Sequence, residues 1–211
     1  MKDGEAGMDL VTMRARVRNT VKDLDASAYY WADDEVDAAI VGALGEWSAA
    51  CPDVATATKD GDGTTRTFDL SAETGYLYCL AVEYPMDEEP RELVGFNEAV
   101  HGSVQIRGDA PANGTANVRF YYAKAYDSAD VTWTLPTEDE QAIEIGAAAK
   151  LADAGSVYAA GRINASVDRA SWLRKAAYGW YQDFHARLNR ARLRQVGPQW
   201  WTSWRVDEED V

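Results

Sequence analysis

The period of the apolar residues changes twice along the chain, and this limits the fold more than any other feature. Leu10, Met13, Val17, Val21 and Leu24 recur at steps of three and four, the spacing of one helical face. The same spacing returns at Val36, Ile40, Leu44 and Trp47, joined by Ala43, after an acidic start (Asp33, Asp34, Glu35) that suits the positive end of a helix dipole. Cys51-Pro52 ends this second helix. Extended runs rich in β-formers follow, at residues 54–59, 64–70, 76–84, 103–107 and 117–122. The first two flank Asp60-Gly61-Asp62-Gly63, which predicts a hairpin-like turn. Gly108 to Gly114 separates the last two, and residues 85–92, with two prolines and four acids, read as an exposed loop.

Helical spacing resumes after Leu135-Pro136. Thr137 and Glu140 have the spacing of a capping box, and the alanine-rich run at 143–158 permits close approach of helices. Residues 161–166 break the pattern. A last helix over 168–194 is expected to bury Trp172, Ala176, Trp180, Phe184 and Leu188, with Leu173, Ala177 and Tyr181 widening the stripe, and Gly197-Pro198 stops it. The expected fold class is α+β and mainly helical. Residues 1–52 and 134–195 form a discontinuous four-helix core, 53–133 a small inserted antiparallel β-sheet of four to six strands, and 196–211 an extended C-terminal tail.

At 211 residues the chain is one domain with an elaborate insertion, and its 46% hydrophobic content supplies a sizeable core. No run reaches the roughly 18 apolar residues of a membrane span, and the first residues lack the apolar stretch of an export signal. The expectation is a protein made in the cytoplasm with no membrane partner. Cys51 and Cys79 are too few for a disulfide framework or a four-cysteine zinc site and read as small buried hydrophobes. The net charge of −14 argues against nucleic-acid binding by the molecule as a whole. Its distribution is uneven: residues 161–205 carry nine basic and two acidic side chains, the last six residues carry four acids, and residues 1–160 are left with −17.

Catalytic and cofactor motifs were sought and none emerged. A calcium loop starting at Asp60 would need glycine and glutamate where Thr65 and Ser71 stand. His101 and His185 are too few for a three-histidine metal site, no glycine-rich phosphate loop occurs, and the carboxylates are too many for any pair to stand out. No catalytic, cofactor or metal residue is assigned. Two features point instead to partners. Arg187, Arg190 and Arg194, beside Arg192, make a basic stripe suited to an acidic protein or to DNA. Trp200, Trp201, Trp204 and Arg205 follow the helix stop. Each tryptophan hides on the order of 200 Å² when buried, and both residue types are typical interface anchors.

Several segments, in order, resemble the head–tail adaptor (connector) proteins of tailed viruses. They are Leu10-x-x-Met13-Arg14-x-Arg16-Val17-Arg18, then Tyr30-Trp31-Ala32-Asp33-Asp34-Glu35-Val36-Asp37, Val82-Glu83-Tyr84-Pro85, Phe120-Tyr121-Tyr122-Ala123-Lys124, Thr134-Leu135-Pro136 and Gly146-Ala147-Ala148-Ala149. Ala32 departs from the capping serine of that family, and Asp33 is expected to take the cap. The resemblance implies a non-enzymatic virion neck protein, assembled in the host cytoplasm as a ring, commonly of twelve copies. The ring would bind beneath the portal protein, extend the DNA channel, pass double-stranded DNA without reading its sequence, and present a docking surface to the next neck or tail protein. In such proteins the C-terminal segment docks on the portal, which matches the role read for the tryptophan tail. An acidic lumen would repel phosphate. Alternatively, 35 acids against 21 bases, of which only six are lysine, resembles proteins adapted to high salt, as in haloarchaeal hosts and their viruses. The competing function class is a soluble hydrolase or carbohydrate-active domain with an acidic site in the β insertion. Tail-tube and tail-terminator proteins, dominated by β structure, fit four helices less well.

Overall fold

A computed structural model describes residues 9–89, 91–126, 135–160 and 167–195. The elements run α1 (Leu10–Val21), α2 (Asp33–Ala50), β1 (Asp53–Gly61), β2 (Thr67–Asp69), β3 (Tyr76–Glu83), β4 (Leu93–Val94), β5 (Phe96–Val100), β6 (Ser103–Ile106), β7 (Gly114–Lys124), α3 (Thr137–Ala160) and α4 (Val167–Gln195). The class is therefore α+β with four helices, as the periodicity predicts. The strands form two small antiparallel sheets rather than one, in the orders β1-β7-β3-β4 and β2-β6-β5.

Helix ends follow local chemistry. Asp9 caps α1 by accepting the Thr12 N–H at 2.6 Å. Lys22 closes α1 in the left-handed conformation (φ 59°), its N–H donating to Arg18 and Asn19 carbonyls. The helix therefore stops short of Leu24, which is exposed rather than buried. Asp33 does not cap α2. Ala32 holds the cap position, where its N–H donates to Glu35 Oε2 at 2.8 Å, while Asp33 is the first helical residue and binds arginines of α1. The capping box expected at α3 is also absent: Thr137 is already helical, and Glu140 turns its carboxylate to Arg16.

Hydrophobic burial divides into two clusters. Met13, Val17, Val36, Ile40, Leu44, Trp47, Ile143, Ala147, Leu173 and Phe184 belong to the helical one; Phe68, Leu70, Val82, Val104, Val118 and Phe120 belong to the β one. Gly146 lets α3 approach α4 closely, because a Cβ there would lie 2.8 Å from Phe184 Cδ2 and 3.2 Å from Ala43 Cβ. Where the two parts meet, the Tyr126 N–H donates to Ser48 Oγ at 3.1 Å.

The buried stripe of α4 is rotated from the expected one. Leu173, Ala177, Phe184 and Ala191 are buried, Trp180 and Leu188 pack in part, and Trp172 is 53% exposed. The Asp60–Gly63 turn does not make a hairpin either, since β1 pairs with β7 (Val54 opposite Ala123) and β2 with β6 (Phe68 opposite Val104). The Asp62 carboxylate accepts from the N–H groups of Thr64 and Thr65 and from Thr65 Oγ1, a local turn that carries the chain from one sheet to the other. β4 and β5 were not foreseen. The hairpin between β5 and β6 turns at His101-Gly102, where Gly102 has φ 76° and a Cβ would come within 2.7 Å of the Ser71 backbone.

Candidate functional site

The arginines of α1 form a clasp inside the molecule. Arg14 donates to Asp37 through Nε (2.8 Å) and Nη2 (2.6 Å) and reaches Asp33. Arg16 bridges to Glu144 at 2.9 Å and Glu140 at 3.3 Å on α3. Arg18, 5% exposed, binds Asp23 (2.5 Å), the Trp31 carbonyl (2.9 Å) and Asp33 (2.7 Å). The planar guanidinium fork pairs two-pronged with carboxylates and reaches acceptors on different elements, a geometry that a lysine's compact ammonium does not reproduce. Arg14, Arg16 and Arg18 thus fasten α1 to α2, α3 and the loop between α1 and α2.

The carboxylates of the β part are likewise bound within the fold. Asp60 accepts from Ala116 N–H, Asp62 from Thr64 and Thr65, Asp69 from Ser71 N–H, and Glu73 pairs with Lys59. Glu83 is fully buried and accepts from Tyr121 Oη (2.5 Å), Asp87 N–H (3.0 Å) and Arg119 Nη1 (3.2 Å). Burial works to raise its pKa, and the bonds from Tyr121, Asp87 and Arg119 together outweigh it, leaving the carboxyl below its ordinary value.

One cluster there has the residue types of a nucleophilic site: Cys79, Glu98, His101 and Tyr76. Its geometry opposes that use. Glu98 accepts from Tyr76 Oη (2.8 Å), Gly102 N–H (2.8 Å) and Cys79 N–H (3.0 Å), so it ties strand β5 to β3. Burial first, and the Glu98 carboxylate second, push the Cys79 thiol up to about 12, so it stays protonated at neutral pH. Cys51 is buried too, and both cysteines are free thiols. His185 stacks on Tyr181 at the surface of α4. Among the described residues no cluster of three or more His, Cys, Asp or Glu side chains could hold a metal ion, and no helix is long and apolar enough to cross a membrane.

The outer face of α4 is different. At 3.6 residues per turn its buried residues lie within about 40° of one another. Trp172 (53% exposed), Tyr178 (67%) and Leu193 (73%) point the other way, with Gly179 and Ala186 between them. The basic stripe shares this helix but is partly used: Arg187 pairs with Asp183 at 3.2 Å, and Arg194 with Asp139 (2.5 Å) and Glu138 (3.5 Å) at the start of α3. Arg190, like Arg174, Lys175 and Arg192, is exposed and makes no ion pair among the described residues. Trp200, Trp201, Trp204 and Arg205 lie outside the described residues.

A second feature was missed in the sequence. Between α2 and the C-terminal half of α3 runs a groove of about 690 Å³, floored by Ala38, Gly42 and Ala154 and walled by Tyr30 and Tyr158. Its signal is the pair of small residues Ala38 and Gly42, on the α2 face opposite the buried stripe. Lys150 at its edge pairs with Glu46, while Asp34, Glu35 and Asp153 are exposed there without ion pairs among the described residues.

No protein-family model matches the chain, and no curated protein matches it. Among solved structures it is similar to a chain of the neck of an empty GTA particle computed with C6 symmetry, at 11% identity and a TM-score of 0.30, over 64% of this chain and 74% of that one. A chain of the neck of a native GTA particle computed with C12 symmetry gives 14% identity and a TM-score of 0.29, over 82% and 92%. Superpositions at these TM-scores carry no argument about this chain.

Proposed function

We propose that the chain is a structural, non-catalytic subunit of a virus neck, of the adaptor type. In this reading copies assemble into a ring beneath the portal, extend the DNA channel, and offer a docking surface to the next neck or tail protein. The observation that carries it is the surface of the helical body. Val157, Tyr158, Trp172, Tyr178 and Leu193 stand 53–73% exposed on α3 and α4. Trp172, Tyr178 and Leu193 share the outer face of α4, while Tyr158 walls the α2–α3 groove, and large apolar side chains exposed on a helix face mark surfaces that another molecule covers. The buried and half-buried carboxylates Glu73, Glu83 and Glu98 of the β insertion are occupied in ion pairs and hydrogen bonds, and the unpaired ones, Glu88, Glu89, Glu92 and Asp109, are exposed on loops, which favours the neck reading over the enzyme. The ordered segments that resemble connectors support it from the sequence, and they contain the three arginines of the α1 clasp with Asp33 and Asp37.

Residues 1–52 and 134–195 form the body in this proposal, 53–133 the insertion, and 196–211 the arm that reaches the portal through Trp200, Trp201, Trp204 and Arg205. Arg187, Arg190 and Arg194 border a protein partner or the DNA path, with Arg190 the member unengaged by any described carboxylate. Twelve copies follow from the resemblance, and DNA passes without being read. The test is co-sedimentation of the protein with its virus's portal assembly, viewed by electron microscopy at low and molar salt. A coaxial ring on the portal supports the reading, and no association at either salt overturns it. Deleting residues 199–211 is expected to leave a folded protein that no longer binds portal; retained binding refutes the role of the tail.

A further inference from the structure

We infer that the outer face of α4 in one copy docks into the α2–α3 groove of the next, so that copies join head to tail through two different surfaces. The inference rests on the ring reading above and names the contact that builds the ring. Three observations carry it. First, the groove is lined by the small residues Ala38, Ala154 and Gly42, the last with the Lys150 side chain against it, and on the facing helix a Cβ added at Gly179 meets nothing within 4 Å. Second, α4 cannot fill the groove of its own chain, because Leu173 and Phe184 already hold its inner face against Gly155 and Gly146 of α3. Third, the charges match. Arg174, Lys175, Arg190 and Arg192 are exposed on α4, while Glu35 lines the groove and Asp34 and Asp153 are exposed next in the chain to its lining residues Glu35 and Ala154; none of the seven is ion-paired among the described residues. From Trp172 to Leu193 the presented face is about 31 Å long, enough for a continuous helix contact. A contact between two unlike surfaces, repeated with a rotation that closes, generates a ring rather than a two-fold dimer.

The test uses Ala38→Cys and Gly179→Cys in the full chain. Both positions are exposed, and the native thiols Cys51 and Cys79 are buried. Treated with a short bis-maleimide in the presence of portal, the double variant is expected to give a ladder of covalent multimers. A mixture of the two single variants should stop at dimers, and each single variant alone should stay monomeric. Trp172→Glu, at an exposed position that leaves the monomer core intact, is expected to raise the concentration needed for assembly at least about tenfold, the loss of one interface anchor. Three results overturn the assignment: self-linking of either single variant, a ring in the microscope with no ladder on the gel, or assembly indifferent to Trp172→Glu. In all three the ring reading survives. The absence of any ring with or without portal removes both.

Discussion

Arg18→Met should be far more damaging than Arg14→Met, although the two arginines lie one turn apart on the same helix and both bind carboxylates. The Arg18 and Asp23 side chains are each only 6% exposed. Without Arg18 the Asp23 carboxylate stays buried with the N–H groups of Tyr30 (2.8 Å) and Trp31 (3.4 Å) as its remaining donors. Breaking a buried pair from one side costs about 3–5 kcal/mol, because a charge is left uncompensated. The Arg14 side chain is 23% exposed and faces Asp33 and Asp37 at the surface, a setting in which an ion pair contributes about 0.2–1 kcal/mol. Urea unfolding followed by tryptophan fluorescence separates the two. No tryptophan lies between Trp47 and Trp133, so the signal follows the helical part. With a slope of about 2 kcal/mol per molar urea, Arg18→Met should lower the midpoint by roughly 2 M and Arg14→Met by no more than roughly 0.5 M. Adding Asp23→Asn to Arg18→Met should recover about 1 kcal/mol or more, since the stranded charge is gone. Equal midpoints for the two single variants, or no recovery in the double, would refute the account of a buried clasp.

Three further substitutions probe the packing and the acid response. Gly146→Ala places a Cβ 2.8 Å from Phe184 Cδ2, and overpacking of about 1–3 kcal/mol should outweigh the roughly 1 kcal/mol gained in helix propensity. Gly45→Ala, with nothing within 4 Å, should gain up to about 1 kcal/mol, so thermal midpoints of the two variants moving in the same direction would contradict the packing. Glu83 has its carboxyl lowered in the fold, so its contribution is present above the ordinary carboxylate range and is lost as pH falls through the folded value. Glu83→Gln should therefore be less stable at pH 7 and should lose less stability than the parent on acidification below about 4.5, the slopes differing by at most about 1.4 kcal/mol per pH unit. Circular dichroism melts across that range check it, and parallel curves would mean Glu83 is not linked to acid unfolding.

Sequence periodicity located all four helices because each has enough apolar residues to set a phase. It placed the buried face of α2 correctly, since Val36, Ile40, Leu44 and Trp47 have no rival stripe. α4 carries two adjacent stripes, one through Trp172, Ala176 and Trp180 and one through Leu173, Ala177 and Phe184. The choice between them is made by the space that Gly146 leaves for Phe184, a fact about another helix that α4's own pattern does not contain. The same limit explains the Asp60–Gly63 turn. Glycine and aspartate mark a reversal, but only the register of β1 against β7, chosen across more than 50 residues, decides whether the flanking strands pair. β4, of two residues, and β5, with no fully buried side chain, were too short and too exposed to give a signal.

The clasp is legible in the spacing of its charges. Arg14, Arg16 and Arg18 alternate on α1, and their partners come as carboxylates four apart on the receiving helices, Asp33 with Asp37 and Glu140 with Glu144. Acids at that spacing share a helix face and can accept one guanidinium between them. This changes what the acidity of the chain means. Carboxylates at the starts of α2 and α3 fasten α1, and those of Glu83 and Glu98 fasten strands, so they would be required at any salt and in any channel. Among the described residues, the excess open for another purpose is the exposed set without ion pairs, including Asp34, Glu35, Glu88, Glu89, Glu92, Asp109 and Asp153. Glu35 lines the α2–α3 groove, with Asp34 and Asp153 next in the chain to lining residues, and a neighbouring α4 would neutralise them. A lumen that repels DNA must therefore draw on the remainder, chiefly the loop between β3 and β4, rather than on the acidic composition as a whole.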